Sequence, residues 1–482
     1  MIQYVLGIDL GTSGVKAGLV NLATLKLEHV SVQSYAEDAE QDPEILWDKT
    51  VAATREAINL LGGRGIVRAI GLTGQMHGVV LYDAGGNLIG PLINWKDQKW
   101  SSRAIIQKMK LAMGDRAYDE LGTDISSGYS GAILFGIKEY DPGLFQRIAH
   151  FVLPTDFLRK RLLPSNRYAT DPTNAFGTGL FNTRLNRWHV ELIREFQLPF
   201  DIFPEIHPSP QKAGSLSDQV ADLVGLEGGI PVIYGGGDNQ MSMLGSGLAG
   251  PDSPILINIG TASQISKVIS NFDRYPGMDT RSFFNGAYAA VGASLGGGCS
   301  YRWLREQIIQ AEGTDIAYSK MDELAAKVPP GADGLVFCTG PTRQNNDRRR
   351  GFYGNTAKLQ SISHRARAVM EGVLMDLYDS YEILKNDDLC AFFVGGGKCL
   401  QKSRVWSLIA ADLFGKPLRI TGFENAVFGA AILAAYGLGS MQNLEKSVHA
   451  IGYATEMAPD PNNSKFYRDE FVNDWRTAVR EI

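Results

Sequence analysis

Residues 4–20 read Tyr-Val-Leu-Gly-Ile-Asp-Leu-Gly-Thr-Ser-Gly-Val-Lys-Ala-Gly-Leu-Val, and this run constrains the fold more than any other. Apolar side chains alternate at Tyr4, Leu6, Ile8 and Leu10, which predicts a strand, and Val15, Ala17, Leu19 and Val20 predict a second one directly after it. Gly11, Thr12, Ser13 and Gly14 carry little bulk, so the turn between them lets backbone N–H groups approach an anion. Asp9 closes the first strand beside that turn. The pattern reads either as an ordinary hairpin with an Asx-type turn or as a site where one carboxylate and a bound phosphate share a hard cation such as Mg2+.

A chain of 482 residues is long enough for about two to four domains. No window approaches the roughly 18 uninterrupted apolar residues of a membrane span, and Met1–Val5 runs into a strand without a secretory pattern. A cytoplasmic location is the expectation. Four cysteines (Cys299, Cys338, Cys390, Cys399) are too scattered for a disulfide framework or a zinc pair. A net charge of −5 supplies no general attraction to nucleic acid or to an anionic membrane, so an anionic ligand has to be held by local donors.

Asp42 as N-cap, Pro43 and the stop at Gly62-Gly63 predict a helix whose apolar face holds Trp47, Val51, Thr54, Ile58 and Leu61. Ile66–Leu72 then predicts a strand that ends in Thr73-Gly-Gln-Met-His-Gly78. Gln75, Met76 and His77 there either line a pocket for hydroxylated carbons or serve the loop itself. Trp95 and Asp97 face the same way if their backbone is extended. They then form an aromatic and carboxylate pair suited to a sugar, or lie together on the surface by accident. The four arginines between Arg343 and Arg350 are expected in a solvated loop rather than a nucleic-acid patch.

Ile230-Pro-Val-Ile-Tyr-Gly-Gly-Gly-Asp-Asn-Gln240 predicts a buried strand, a glycine turn and a helix beginning at Asp238. That acid is either an N-cap or a general base over a cleft, with Asn239 beside it as an amide that orients a hydroxyl. Ile255–Ser266 then repeats the opening pattern of strand, Gly260-Thr261 turn and strand. Two such hairpins predict two related lobes, 1–248 and 249–482, with a linker near Leu248–Ser253 as boundary and hinge. Cys390–Val394 predicts a strand that feeds Gly395, Gly396 and Gly397, an arrangement that brings backbone close to a nucleotide. Neither a dinucleotide fingerprint nor a P-loop occurs. Gly292-Ala-Ser-Leu-Gly296 matches the G-x-S-x-G nucleophile pattern without partners for a triad. The polar tail after Gly439 is expected to wrap the surface.

Taken in order, Gly7–Lys16, Gly71–Gly78, Gly235–Gln240, Asn258–Ser263, Val394–Gly397 and Glu424–Ala431 resemble the FGGY carbohydrate kinase family over nearly the whole length. That family lies within the ribonuclease H-like (actin-like) ATPases. The resemblance implies an α/β fold of two such domains with an interdomain cleft, and ATP-dependent transfer of a phosphoryl group to a hydroxyl of a ketose. It implies Mg2+ at Asp9, phosphate contacts from Gly11, Thr12, Ser13, Gly260 and Thr261, and adenine between Gly396 and Gly397. Asp238 becomes the catalytic base, and the sugar contacts are Met76, His77, Trp95, Asp97 and Asn239. Some stretches look closer to xylulokinase (Gly235–Gln240, the tail after Met457) and others to sedoheptulokinase (Ser126–Lys138, Phe283–Tyr288). The run Trp95–Lys99 and the region Gly354–Gly372 depart from the family pattern. Partners are thus a ketose and ATP, with a homodimer compatible, and no nucleic acid or membrane. An actin-like ATPase module and a silent sugar sensor are the alternatives; the first has no use for Met76, His77 and Asn239 beside an acid, and the second binds ketose and ATP without turnover.

Overall fold

The computed structural model describes residues 1–163, 167–313, 315–341, 348–387, 389–449 and 452–480. Its frame is two seven-stranded sheets with the same order of parts. In the first, Ile2–Leu10 pairs antiparallel with Gly14–Asn21, which pairs with Lys26–Ser34. On its other side Ile2–Leu10 lies parallel to Gly65–Gly74, followed by Pro231–Ile233 and Lys212–Ser215. In the second, Leu256–Ile259 pairs antiparallel with Ser263–Ile269, then Tyr288–Ser294 and Asp279–Ser282. Its other side carries the parallel strands Phe393–Gly396 and Leu418–Ile420, then Thr455–Met457. Antiparallel neighbours follow from tight turns, and parallel ones from helical crossovers such as Pro43–Asn59 and Ile362–Leu384.

The lobes are joined by a crossed pair of helices. Asn425–Gly437 is apolar nearly all round, so it has to be buried on every side. Although it follows the second sheet in sequence, it packs on Ile2–Leu10 and Gly65–Gly74 of the first and on the helix Asp238–Gly245. Met241, Met243 and Leu244 of that helix share a core with Leu256, Val268, Val291 and Val394 of the second sheet. A side chain at Gly245 would put its Cβ 1.9 Å from the Asn425 carbonyl oxygen, so only glycine allows this approach.

Several expectations need correction. The helix Pro43–Asn59 is capped by Asp42 but buries Leu46, Trp47, Thr50, Ala53, Thr54 and Ala57, leaving Val51 and Ile58 at the margin. The tail lies over the surface but is anchored by one apolar face: Tyr467, Phe471, Trp475 and Val479 are buried at helical spacing, and Trp475 Nε1–H donates to the Phe337 carbonyl at 3.0 Å. Its polar residues mask an apolar stripe of period four. Within the arginine run, 343–347 lie outside the described residues. Arg348 is buried rather than solvated, pairing with Asp376 and Asp379 and stacking on Trp475. The segment around Gly250 is tied down, since Lys267 Nζ donates to the carbonyls of Pro251 and Ser253 at 2.7 and 2.6 Å. Ser294 of the G-x-S-x-G match donates its hydroxyl to Asp376 and serves the loop. All four cysteines are free thiols. Among the described residues no helix is long and apolar enough to cross a membrane.

Candidate active site

Sheet register assembles the first half of the site. Asp9 sits opposite Thr73 on the parallel strand Gly65–Gly74, and Thr73 sits opposite Gly236 on the short strand Gly236–Gly237. The helix Asp238–Gly245 begins at the next residue. Two carboxylates, Asp9 and Asp238, thereby reach the carboxyl ends of the two parallel strands that flank Gly65–Gly74, the end at which α/β sheets bind ligands. Asp238 does not cap its helix: Gly237 is the N-cap, and Asp238 Oδ1 accepts from the N–H of the next residue, Asn239, at 2.8 Å. Burial and the Asp9 carboxylate push Asp238 up to about 7, against the opposing pull of the Asn239 N–H and Arg281. The loop before it is anchored by Thr173, whose hydroxyl accepts from Gly237 N–H at 2.9 Å.

Asp9 is buried and its Oδ1 has no hydrogen-bond partner. Burial raises its pKa, with Lys16 opposing and Glu424 adding to the rise. An acid held this way suits a hard cation. Among the described residues no group of three or more His, Cys, Asp or Glu could hold a metal, so a cation at Asp9 would complete its shell with phosphate oxygens and water, as Mg2+ does. The adjoining turn is braced from outside. The Gly11 carbonyl accepts from Tyr35 O–H and from Gln75 Nε2–H, the latter at 3.1 Å. The Thr12 carbonyl accepts from Gln41 Nε2–H at 2.9 Å, and the Ser13 carbonyl from Tyr35 N–H at 3.0 Å. The Ser13 side chain stays exposed.

A chain of contacts leads from this turn to the second lobe. Lys16, paired in register with Asp9, reaches Glu424 Oε2 at 2.8 Å. Asn425 follows and lies against Gly396, which is in register with Asn258 at the foot of the second hairpin. Gly397 has φ +81°, and a Cβ there would stand 2.5 Å from the Ile259 carbonyl oxygen, so backbone packs directly on backbone. Gly260 accepts from Gly298 N–H at 2.8 Å, and Thr261 is exposed at the turn. Contacts through Lys16, Glu424 and Asn425 thus run from the hairpin that carries Gly11, Thr12 and Ser13 to Gly396 and Gly397, which lie beside the hairpin that carries Gly260 and Thr261.

The expected sugar residues divide. Met76 is buried, and His77 stacks on Tyr129 at 4.3 Å with Nδ1–H donating to the Gly177 carbonyl at 2.8 Å. Asn239 gives its Nδ2–H to Gln264 of the second lobe at 2.7 Å, while its Oδ1 is buried without a partner. Trp95 is 43% exposed and donates from Nε1 to Thr12 Oγ1 at 2.9 Å, linking this region to the phosphate turn. Asp97 does not share its face. The chain turns after Asn94, and the Asp97 carboxylate accepts from the N–H groups of Lys99, Trp100 and Ser101 and from the Ser101 hydroxyl. Asp97 is a turn former at 1% exposure, which corrects its expected place beside Trp95. Tyr35, Gln41, Gln264, Glu424 and Arg281 were missed; only contacts between remote segments identify them.

Residues 4–245 match the N-terminal domain, and residues 277–438 the C-terminal domain, of the FGGY family of carbohydrate kinases. The chain belongs to that family. It is an ATP-dependent sugar kinase with Mg2+ as cofactor. This FGGY kinase is 30% identical to a xylulose kinase of Staphylococcus xylosus, over 98% of both chains. It is 28% identical to a xylulose kinase of Bacillus subtilis, over 98% of this chain and 95% of that one. In fold it is similar to the ligand-bound xylulose kinase of Lactobacillus acidophilus, with a TM-score of 0.88 at 21% identity over 99% of this chain and 97% of that chain. The two-lobed actin-like ATPase fold with its cleft is thus shared by this FGGY kinase and its structural neighbours.

Proposed function

We propose that this kinase phosphorylates a terminal hydroxyl of D-xylulose, with Asp238 as general base. The observation that supports the assignment of roles is the register row Asp9, Thr73, Gly236, which sets the two carboxylates at the same end of one sheet, on strands either side of Gly65–Gly74. One is buried with an unpartnered oxygen, and the other is partly exposed at a helix start. The xylulose kinase relatives support the choice of sugar.

Asp9 would hold Mg2+, which when bound to ATP offsets charge on the transferring phosphoryl group. Gly11, Thr12 and Ser13 on one side, and Gly260 and Thr261 on the other, present backbone and hydroxyl donors to phosphates. Gly396 and Gly397 leave room for a flat base. Met76 and His77 pack against the sugar carbons and hydroxyls, and Trp95 covers the mouth of the site while holding Thr12. Asp238 Oδ2 accepts the proton of the attacking hydroxyl, a contribution on the order of 10²–10⁴-fold. The halves 1–248 and 249–482 close over the site, which keeps water from taking the phosphoryl group. The cytoplasm, where ATP is supplied, is the compartment this reaction needs.

The test is ATP-dependent release of ADP with D-xylulose, D-ribulose, sedoheptulose and D-gluconate offered separately. D-Xylulose is expected to give the highest kcat/KM. Sugar-independent ADP release at the same rate would overturn the kinase assignment of these residues.

A further inference from the structure

Arg281 belongs to the edge strand Asp279–Ser282 of the second lobe, yet its side chain is buried, at 5% exposure, against the first. Nη2–H donates to Asp279 Oδ2 at 2.8 Å. Nη1 faces the Met76 sulfur at 3.8 Å, and the guanidinium lies 5.5 Å from the ring of Phe176. Nε is buried with no hydrogen-bond partner. A thioether is a weak acceptor, so a cation that is costly to bury keeps two directions in which its donors lack a good oxygen. Its charge also reaches Asp238, whose anionic form it favours.

The group is held rigidly. Asp279 Oδ1 accepts from Thr123 Oγ1 at 2.8 Å, Thr123 Oγ1 lies 3.3 Å from the Tyr129 hydroxyl, and Tyr129 stacks on His77. Arg281, Asp279, Thr123, Tyr129 and His77 thus form a ring that closes through Met76, the neighbour of His77 in sequence. Four of its members come from the first lobe and two from the second. No position in this ring other than Met76 and His77 stands out in the sequence.

We propose that Arg281 is a sugar-binding residue supplied by the second lobe, its guanidinium donating to a carbonyl or hydroxyl oxygen other than the one that is phosphorylated. This rests on the reading of Met76 and His77 as the sugar pocket. An uncharged oxygen fits better than a carboxylate. Asp279 already offsets the guanidinium charge at 2.8 Å, so the guanidinium needs no second anion to neutralise it. Arg281 therefore selects ketoses over aldonates, and it ties sugar binding to contact between the lobes.

The test uses the full chain with Arg281→Gln, Arg281→Lys and Thr123→Val. D-Xylulose affinity is measured by calorimetry without nucleotide, KM for D-xylulose and for ATP by steady-state kinetics, and folding by thermal melting. Arg281→Gln is expected to weaken D-xylulose binding and raise its KM about 10- to 100-fold while the ATP KM moves less than about twofold. Arg281→Lys should fall between, and Thr123→Val should weaken sugar binding by a few-fold. Should Arg281→Gln not fold, the other two variants carry the same comparison. Wild-type sugar affinity in folded Arg281→Gln or Arg281→Lys overturns the proposal while leaving the pocket intact. So does D-gluconate displacing D-xylulose from the wild type but not from Arg281→Lys, which would mean that the guanidinium reads a carboxylate. No ketose binding to the wild type would remove the pocket reading itself, and Arg281 with it.

Discussion

The two hairpins are the same structure with different charge. In the first, Asp9 pairs across the strands with Lys16; in the second, Asn258 occupies the place of Asp9 and pairs with Gln264. An acid and a base have been replaced by two amides. The first turn is braced by Tyr35, Gln41, Gln75 and Trp95, whereas the second rests on backbone from Gly297 and Gly298 and leaves Thr261 exposed. Each hairpin also reaches across the cleft to the start of the other lobe's interface helix. Lys16 bonds Glu424, the N-cap of Asn425–Gly437, and Gln264 bonds Asn239, the second residue of Asp238–Gly245. Duplicated architecture therefore supplies two small-residue turns and two cross-lobe contacts, but a carboxylate stands beside only the first of these turns.

The sharpest way to break this asymmetry is Asp238→Asn. It should lower kcat about 10²–10⁴-fold, with ATP affinity by calorimetry changed less than about twofold; near-normal turnover would remove Asp238 from its role. Next is Asp9→Asn, which makes the first hairpin resemble the second. The Mg2+ concentration for half-maximal rate should rise by at least about 10–100-fold, the loss typical even of an outer-shell partner, and an unchanged Mg2+ titration would count against a cation at Asp9.

The pH profile sharpens the same contrast. Asp238 is raised to about 7 by burial and by Asp9, and a general base acts deprotonated, so kcat/KM for the sugar should climb with pH through about 7 and then level. In the Mg2+-free enzyme, removing the Asp9 charge removes one raising cause, and the Asp238 midpoint read by NMR titration should move to lower pH in Asp9→Asn. A midpoint that stays in place would show that the two carboxylates do not interact.

Smaller effects test the bracing. Trp95→Phe keeps the ring but loses the hydrogen bond to Thr12, worth about 0.5–1.5 kcal/mol, so KM for ATP should rise by roughly 2- to 10-fold. Glu424→Gln should move the melting temperature by less than about 2 °C, because the Lys16 pair is part-exposed at 28% and 41% and a surface ion pair contributes little. A larger drop would mean that this contact holds the lobes together.

Much of this was legible in the chain because it is local. Alternation announced both hairpins, Asp42 and Pro43 announced a helix, and glycines with an acid announced Asp238. The misses have two causes: Asp97 closes a local Asx-type turn on its own neighbours, and the others depend on what lies opposite. Asp97 looks free until Lys99, Trp100 and Ser101 fold back on it, and the tail looks polar until its four-residue stripe finds the core under Phe337. Arg281 carries no local signal at all.

By itself, then, the order of residues determined two strand–turn–strand units, the placement of Asp9 beside the first turn, and the start of a helix at Asp238. Those are short-range consequences of side-chain shape and period, and they hold wherever the segment ends up. Only the tertiary structure decided that Asp9 and Asp238 would share a crevice, that Lys16 would face Glu424, and that a strand of the second lobe would bring Arg281 to Met76. Such contacts join segments hundreds of positions apart, and they form because burying one apolar helix between two sheets leaves those side chains no other place to go.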